Sequence, residues 1–361
     1  IKTNSKDSTH LIVGAGLAGC LLAWNLLKRG QHFILIGSRS MPSAFKVAAG
    51  LINPVTGRWM TKSWNFDQLL PEAEVMYRSI EKTLDIEIYH PLSELRFCQN
   101  TDDVKRVSRR LRNPRYQDVL GKFHEPDSGT SNFNDRHGCF EIKKAAYVDL
   151  PKLVTSLQDT FFQNNQFRDE YFDHSELKKA GSTWRYRDIF AEDVTFCEGA
   201  AHSKNPWFSQ VPLTPIKGET LHCKCRTLEL AKKLIHHKKW ILPYPDGSFR
   251  IGATYDESDN DPAPTEAGKE VLLAAAFAAL KKSHNIETIS HKAGIRPSTS
   301  DSKPIVGAHP DQRGLYLLNG LGSKGATTGP SMAKLLTGHM LDGTLIDAEV
   351  DLKRFLASTD K

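Results

Sequence analysis

Residues 10–38 read HLIVGAGLAGCLLAWNLLKRGQHFILIGS, and this stretch decides the fold of the chain. Leu11–Val13 form a short apolar run typical of a strand buried on both faces. Gly14, Gly16 and Gly19 supply G-x-G-x-x-G directly after it. The first glycine permits a tight turn, the second lets the backbone approach a pyrophosphate, and the third lets a helix pack closely on the strand. A helix pattern and a second apolar strand follow, so the stretch predicts a dinucleotide-binding βαβ unit.

Two other interpretations of this stretch are weaker. Residues 17–20, LAGC, resemble a lipoprotein cleavage box. Only about six apolar residues precede that box, and the apolar pattern continues beyond Cys20, where a polar tether would begin. A membrane span is interrupted by three glycines and Asn25 and is shorter than the roughly 20 residues required. The order of elements therefore favours the βαβ unit.

The acidic residue expected at the end of the second strand is missing. A carboxylate at this position normally binds the ribose hydroxyls of the adenosine half. After residues 33–36 the chain has Gly37, Ser38 and Arg39 instead. Ser38 or backbone groups could replace the carboxylate, Arg39 could favour a 2′-phosphate as in NADP, or the site could be degenerate. The residues alone leave these alternatives open.

The composition is that of a soluble globular protein. With 361 residues the chain is long enough for two domains. A net charge of +6 permits an anionic partner without requiring one. The six cysteines include no C-x-x-C pair, which favours reduced thiols and a cytoplasmic protein. We expect neither a metal site nor membrane association.

One segment carries a strong local charge. Residues 102–115, DDVKRVSRRLRNPR, predict an amphipathic helix with a basic outer face. A solvated face is the usual meaning of such a pattern, and contact with RNA or another polyanion is the alternative. Neither an aromatic platform nor the signature of an RNA-binding module accompanies the segment. The basic residues are Lys105, Arg106, Arg109, Arg110, Arg112 and Arg115.

The remaining pattern alternates between helices and strands, with a small-residue loop at 44–64. Such loops usually let a backbone approach something closely, and an ordinary connection is the alternative. Pro245–Gly247 is a strong hairpin signal between two apolar strands. The other predicted elements are helices at 66–84, 149–157 and 265–282 and strands at 94–98, 193–197, 220–225 and 315–318.

A second glycine-rich turn lies near the far end of the chain. Residues 319–330, NGLGSKGATTGP, follow a strand and open a helix. The N-terminus of such a helix favours an anion or a ligand dipole. Two turns of this kind, about 300 residues apart in the chain, favour a long cofactor with two ends over a lone phosphate.

The ordered motifs resemble those of the D-amino-acid oxidase-like family of FAD-dependent oxidoreductases. That family includes glycine oxidase, sarcosine oxidase and the oxidase domain of the bifunctional enzyme that modifies the tRNA wobble uridine. The segments AAGLINPVTGR and GLGSKG look most similar to the tRNA-enzyme branch. The motifs, in family order, are GAGLAG (14–19), AAG (48–50), PIKGE (215–219), ILPYPDGSFRIGAT (241–254), AGIRPSTSDSKPIVG (293–307) and NGLGSKGATTGP (319–330).

The resemblance implies an α/β fold, α+β overall. A Rossmann-like FAD-binding domain would be interleaved with an antiparallel-sheet substrate domain that lies over the flavin. The implied FAD-binding domain comprises residues 1–90, 145–215 and 285–361, and the implied substrate domain comprises residues 91–144 and 216–284.

The resemblance also implies a non-covalent FAD, since no cysteine lies near the GLGSKG turn. The first glycine turn would hold the pyrophosphate, residues 48–51 would line the flavin, and the turn 322–327 would present a helix N-terminus to the pyrimidine edge. The implied cofactor-binding residues are Gly14, Ala15, Gly16, Leu17, Ala18, Gly19, Ser38, Arg39, Ala48, Ala49, Gly50, Leu51, Gly199, Gly322, Ser323, Lys324, Gly325, Ala326 and Thr327.

For the substrate, the resemblance points to Arg296 in G-I-R-P as a bidentate clamp on a carboxylate. A structural ion pair is the alternative role for Arg296. Trp240 and Tyr244 are expected pocket walls or core aromatics. Arg250 lies on a strand where the sarcosine oxidase branch has a lysine thought to assist dioxygen, and balancing surface charge is its alternative role.

The implied activity is oxidation of a small amine or amino acid, of the glycine or N-substituted glycine type, by hydride transfer to flavin. An alternative is oxidative removal of a carboxymethyl group from a modified tRNA uridine, with the basic segment binding the RNA. A flavin-free scaffold that retains the fold is a further alternative, motivated by Gly37.

Overall fold

The computed structural model describes residues 9–128, 132–225, 233–281 and 285–356. Its helices are α1 Leu17–Lys28, α2 Phe66–Leu84, α3 Thr101–Leu111, α4 Leu150–Gln163, α5 Glu266–Ala279 and α6 Gly325–Asp342. The strands in the first part are β1 Thr9–Val13, β2 His32–Ile36, β3 Leu51–Ile52, β4 Val55–Thr56, β5 Thr61–Lys62, β6 Tyr89–Phe97, β7 Leu120–His124, β8 Cys139–Val148, β9 Phe167–Arg168, β10 Leu177–Ala180, β11 Thr183–Tyr186, β12 Ile189–Ala191 and β13 Asp193–Phe196. Those in the second part are β14 Thr214–Lys224, β15 Leu234–His237, β16 Lys239–Pro243, β17 Ser248–Gly252, β18 Glu287–Ser298, β19 Ile305–Ala308 and β20 Leu315–Asn319.

The first sheet contains the predicted βαβ unit. Its order within the described residues is β19-β20-β13-β1-β2-β9. Strand β1 pairs in parallel with both β2 and β13, and α1 makes the crossover between β1 and β2. Only the edge strand β19 runs antiparallel to its neighbour β20. The Rossmann-like fold expected from residues 10–38 is confirmed.

Strand β1 is buried on both faces, which explains its unbroken apolar run. Because side chains alternate along a strand, Ile12 points to one face while Leu11 and Val13 point to the other. Ile12 belongs to the core formed with α1, α4 and α6. Leu11 and Val13 belong to a second core that includes the aromatic residues of the small β10-β11-β12 sheet.

The second sheet is larger and mostly antiparallel. In the described part of the chain its order is β18-β14-β17-β16-β15-β6-β8-β3, with β7 pairing to β8. Helix α5 covers one face through Leu272 and Ala276, which pack on Leu221 and Ile251. Strand β18, which carries Arg296, pairs along its length with β14. The antiparallel sheet expected for the substrate domain is present, and the exact domain boundaries stay a prediction.

Several predicted boundaries differ from those observed. Helix α4 continues to Gln163 rather than ending near residue 157, because Phe161 extends its buried stripe. Strand β14 begins at Thr214, so PIKGE lies within the strand rather than before it. Strand β6 begins at Tyr89, five residues earlier than predicted. Helix α5 ends at Ala279, and its predicted end at 282 lies outside the described residues.

The thiol prediction is confirmed, since all six cysteines are buried and stand outside any disulfide. No described helix combines the length and the apolar character needed to cross a membrane.

Helix α6 begins before Pro330 and includes it. Proline has no backbone N–H, so it cannot donate to the carbonyl of the residue four positions earlier, which is Ala326. The hydroxyl of Tyr77 on α2 donates to that carbonyl oxygen at 2.7 Å. Tyr77 is fully buried, and its hydroxyl replaces the donor that Pro330 lacks.

We predict that Tyr77→Phe lowers the free energy of unfolding by about 1–3 kcal/mol, because the Ala326 carbonyl is left without a donor. Tyr89→Phe is the matched control, since Tyr89 is also buried and stacks on Tyr77. Urea denaturation measures both variants. Adding Pro330→Ala to Tyr77→Phe restores an N–H donor and should recover part of the loss. Equal unfolding free energies for Tyr77→Phe and the unaltered protein would contradict this role.

Candidate functional site

A cavity of about 990 Å³ runs from the carboxyl edge of the first sheet to the inner face of the second. It lies at the upper end of the size range of ligand pockets. The turn after β1, the loop 44–51, the turn before α6 and strands of the large sheet all contribute to its wall. Two sequence motifs about 300 residues apart therefore meet in one cavity.

The three glycines of the first turn have three different surroundings. A Cβ on Gly14, where φ is +107°, would lie 2.4 Å from the carbonyl oxygen of Cys197. A Cβ on Gly19 would lie 1.9 Å from the carbonyl oxygen of Gly14. A Cβ on Gly16 would meet no heavy atom within 4 Å. Gly14 and Gly19 thus close the turn, and Gly16 faces the open cavity.

The N-terminus of α1 is directed at the same space. Its N-cap residue, Gly16, has no side chain to accept the first N–H groups of the helix. Unpaired N–H groups and the helix dipole together favour an anion at this position. This end of the cavity fits a pyrophosphate.

Close packing explains the missing acidic residue at the end of β2. A Cβ on Gly37 would lie 2.5 Å from the backbone nitrogen of Ala15, so a longer side chain requires a shift of the first turn. Hydroxyl groups lie nearby: Ser38 and Ser40 are joined at 2.8 Å, and Ser40 and Tyr171 at 3.0 Å. These groups are the polar surface available to a ribose.

Arg39 lines the cavity, but its guanidinium and its backbone N–H are already hydrogen-bonded to acidic side chains. Its guanidinium donates to Asp159 at 2.5 Å, and its backbone N–H donates to Asp169 at 2.7 Å. The planar group also lies over the rings of Phe162 and Phe167. A cation paired in this way does not favour a 2′-phosphate, so the NADP alternative has no support from the geometry.

The loop 44–51 forms the middle of the cavity. Ala48, Ala49, Gly50 and Leu51 all contribute to its wall. Gly50 has φ of +65°, and a Cβ there would lie 1.9 Å from the carbonyl oxygen of Val148. The small residues are therefore required for the loop to pass between β8 and the cavity.

Arg250 holds this loop in place. Its guanidinium donates to the carbonyl oxygens of Val47 and Ala48 and, at 3.1 Å, to the hydroxyl of Thr220. The residues that line the cavity do not include Arg250. The observed contacts are those of a positioning residue, and a direct catalytic role for Arg250 stays a prediction.

The N-terminus of α6 closes the cavity on the other side. Gly322–Thr327 line it, and the N-cap residue Lys324 accepts no N–H through its side chain. Burial lowers the pKa of Lys324. The side-chain amide of Asn319 donates to the carbonyl oxygen of Gly199 at 3.1 Å, which ties this turn to the end of β13.

Arg296 lies at the substrate end of the cavity. Its guanidinium makes long contacts of 3.4–3.5 Å to the carbonyl oxygens of Lys217 and Thr254 and lies over the ring of Tyr255. Within the described ranges no carboxylate approaches it to the 4.0 Å of an ion pair. Burial lowers the pKa of Arg296. The alternative of a structural ion pair therefore has no partner among the described residues, and the role of Arg296 as a carboxylate clamp stays a prediction.

Gly218 makes room for this guanidinium, because a Cβ on Gly218 would lie 2.0 Å from an Nη atom of Arg296. Trp240 lines the cavity beside it. Gly252 makes similar room for the Trp240 ring, since its Cβ would lie 2.5 Å from the ring edge. Gly218 of PIKGE and Gly252, the second glycine of ILPYPDGSFRIGAT, therefore both have a steric reason.

Of the residues predicted to form the site, all except Gly19, Arg250 and Tyr244 line the cavity. Tyr244 packs against the small core of Ala49, Leu234 and Leu242 instead, which is its alternative role. Several polar cavity residues were not predicted, because only the tertiary structure brings them to the cavity: Arg96 and His236 lie on strands, Gln158 lies on α4, and the others lie in connecting segments. These polar residues are Asn53, Arg96, Gln158, His174, Glu198 and His236.

The basic segment forms helix α3, and the fold supplies the aromatic residues that the local sequence lacks. Trp59 has 56% of its surface exposed and lies under the guanidinium groups of Arg58 and Arg106, at 4.8 and 5.0 Å. Arg110 lies over Tyr116 at 5.0 Å. The expectation of a basic face without an aromatic platform is wrong, because the loop after β4 brings Trp59 to the helix.

Comparison with known proteins agrees with this site. A family model described as FAD-dependent oxidoreductase matches residues 10–338. Glycine oxidase of Pseudomonas aeruginosa is 30% identical over 155 residues, which are 42% of this chain and 43% of that protein. The tRNA 5-methylaminomethyl-2-thiouridine biosynthesis bifunctional protein MnmC of Marinobacter nauticus is 25% identical over 348 residues, 91% of this chain and 55% of that protein. The chain thus spans about half the length of these curated relatives.

Solved structures share the fold. Glycine oxidase from Geobacillus kaustophilus superposes with a TM-score of 0.82 at 19% identity, covering 96% of this chain and 99% of that one. Iminodiacetate oxidase from Chelativorans sp. BNC1 gives 0.78 at 23% identity, covering 96% and 98%. The residues present also fit FAD: the open face of Gly16 and the N-termini of α1 and α6 provide anion-binding and dipole contacts at separate points of one long cavity.

We predict that Gly16→Ala weakens FAD binding by about tenfold or more while leaving the unfolding free energy within about 1 kcal/mol, because its methyl group enters the space of the ligand. Gly19→Ala is the contrasting variant, since its methyl group collides with Gly14 and should destabilise the fold itself. FAD titration of the apoprotein and urea denaturation measure the two effects. An unchanged FAD affinity in Gly16→Ala would contradict the assigned pyrophosphate position.

Proposed function

This chain belongs to the FAD-dependent oxidoreductase family, and we propose that it oxidises a small amine or amino acid of the glycine or N-substituted glycine type. When bound, FAD supplies the acceptor for a hydride from the carbon beside the amine. The observation that supports this substrate class most strongly is the half-buried guanidinium of Arg296, which has no carboxylate partner among the described residues.

Arg296 would bind the carboxylate of the substrate. A buried charge without a partner is costly, and a carboxylate would offset that cost through two parallel hydrogen bonds. The guanidinium has no carboxylate partner among the described residues. Lys239 lies near enough for its charge and that of Arg296 to repel each other, and burial and then the charge of Arg296 lower the pKa of Lys239. The substrate end of the cavity is therefore arranged for an anion.

Other residues would orient the amine and exclude water. Trp240 presents an apolar wall beside Arg296. Arg250 fixes the loop 47–51 through the carbonyl oxygens of Val47 and Ala48, so the small residues of that loop stay against the cofactor. Holding both reactants in fixed positions lowers the entropic part of the barrier. The dipole at the N-terminus of α6 favours negative charge on the ligand beside it.

We predict that Arg296→Met lowers kcat/KM for glycine or sarcosine by about 100-fold or more, since two charge-assisted hydrogen bonds are lost. FAD content and FAD affinity should stay unchanged, because Arg296 lies at the opposite end from the pyrophosphate position. Arg296→Lys retains the charge without the fork and should recover only part of the activity. Steady-state kinetics and the visible spectrum measure both properties, and loss of flavin in Arg296→Met would indicate a structural role instead.

A second candidate function is oxidative removal of a carboxymethyl group from a modified tRNA uridine. The basic face of α3 with the exposed Trp59 favours it, because stacking on an aromatic ring and contact with phosphates are the two modes of single-stranded RNA recognition. Gly57, two residues from Trp59, lines the cavity and accepts a hydrogen bond from Arg96, so the basic face adjoins the cavity at the end away from Arg296. The same Arg296 would bind the carboxymethyl group.

For this candidate we predict tRNA binding that weakens as the salt concentration rises. Trp59→Ala should weaken this binding, and so should the double variant Arg109→Gln and Arg112→Gln. Each lost phosphate contact should reduce the salt slope by about one. The pair Lys178→Gln and Lys179→Gln removes two exposed charges on β10 and serves as the control. Filter binding at several salt concentrations measures this. Absence of binding at low salt, or equal loss in the β10 control, would remove the tRNA candidate.

A flavin-free scaffold receives no support from the site. Gly37, which motivated it, has a packing reason in its contact with Ala15.

A further inference from the structure

We propose that the cavity has a second anion-binding point, formed by Arg96 and His236, which takes an anionic group at the far end of an elongated substrate. This inference rests on the proposed function, because it places the reacting amino acid at Arg296. The second group is a carboxylate or a phosphate. The substrate would thus be an N-substituted glycine with a long anionic substituent.

The large sheet places the two arginines at opposite ends of the cavity. Arg96 on β6 is in register with His236 on β15, and both line the cavity together with Leu234. Arg296 lies on β18, which is separated from β6 by β14, β17, β16 and β15. Five strand spacings correspond to roughly 24 Å along the surface of the sheet, less across its curve. A ligand that reaches both ends must be long.

Arg96 is a buried cation whose partners carry no net charge. Only 7% of its surface is exposed. Its guanidinium donates to the carbonyl oxygens of Gly57 at 2.7 Å and Val55 at 3.3 Å. Asp103, an acidic neighbour, pairs with Arg106 at 2.8 Å instead. In the part of the chain that the structure describes, no carboxylate lies within 4.0 Å of the Arg96 guanidinium.

The other acidic neighbour, Glu94, does not neutralise this charge. It is fully buried two residues before Arg96, and burial raises its pKa to about 8. It is therefore mostly uncharged at neutral pH. One carboxyl oxygen accepts a hydrogen bond from the amide of Asn53, which lines the cavity, and the other oxygen has no partner within the described residues. The positive charge of Arg96 stays available to a ligand.

His236 is the second residue of the proposed anion-binding point, and its ring is polar but uncharged. Burial and then the charge of Arg96 lower the pKa of His236 to about 3, so its ring stays neutral. A neutral ring contributes a hydrogen bond without a competing charge. Leu234 and Trp240 line the wall between the two ends, which suits an apolar or flat connecting segment. Along the cavity, Arg296 thus lies at one end, the apolar wall of Leu234 and Trp240 lies in the middle, and Arg96 lies at the other end.

The test uses the FAD-loaded protein and a series of linear α,ω-dicarboxylates from malonate to sebacate, each beside the monocarboxylate of equal carbon number. Binding is followed by calorimetry and by the shift of the flavin absorbance. We expect dicarboxylate affinity to rise to an optimum at one chain length, about tenfold or more above the matched monocarboxylate. Arg96→Met should abolish the optimum and leave monocarboxylate binding unchanged. A parallel series of ω-phosphonocarboxylates shows whether a phosphate or a carboxylate binds better at Arg96.

Arg106→Met is the matched control, because Arg106 also donates to a carbonyl of the 55–60 loop, that of Arg58, but does not line the cavity. It should keep the optimum, and Arg96→Lys should restore part of it. Equal affinities for both series at every length, or the same loss in the Arg106 control, would overturn the second point. Monocarboxylate binding that is independent of Arg296 would contradict the proposed function instead.

Discussion

The close contact between three backbone segments at the glycine turn determines how the rest of the molecule is arranged. Gly14 lies against Cys197 at the end of β13, Gly19 lies against Gly14, and Gly37 lies against Ala15. Each contact leaves no room for a Cβ atom. Because β1, β2 and β13 end together, the segments that follow them meet at one edge of the sheet. The cavity begins at that edge, and the large sheet encloses its other end.

Local patterns were sufficient to predict β1, α1, β2, β13 and β20 and the glycine turn at the cofactor end, whereas the edge strands β9 and β19 were not predicted. The spacing of Gly14, Gly16 and Gly19 is a short-range signal: Gly14 and Gly19 are required by close contacts within the turn or with the adjacent strand, and Gly16 leaves the backbone open to the ligand. The Arg296 prediction came from family resemblance, and the contacts of its guanidinium explain it. Gly218 leaves space for the Arg296 guanidinium, and the two residues lie together only because β14 pairs with β18.

The rest depends on long-range register, which the sequence alone does not specify. Arg96 and His236 are 140 positions apart, and they become neighbours only because β6 and β15 pair in parallel. Trp59 reaches α3 through a loop whose course is set by the same sheet, since Arg96 holds the carbonyl of Gly57. Proline is a normal helix-ending signal, yet Pro330 lies inside α6. The hydroxyl of Tyr77 on α2 replaces the backbone donor that Pro330 lacks.

The central claim is that the half-buried guanidinium of Arg296, which has no carboxylate partner among the described residues, selects amines that carry a carboxylate. The most direct measurement is anaerobic reduction of the bound flavin, followed in the visible spectrum, by pairs of amines that differ only in that group: glycine against methylamine, and sarcosine against dimethylamine. The account predicts that the carboxylate-bearing member of each pair reduces the flavin and that its partner does not. Equal reduction by both members, or reduction by the simple amines alone, would contradict it.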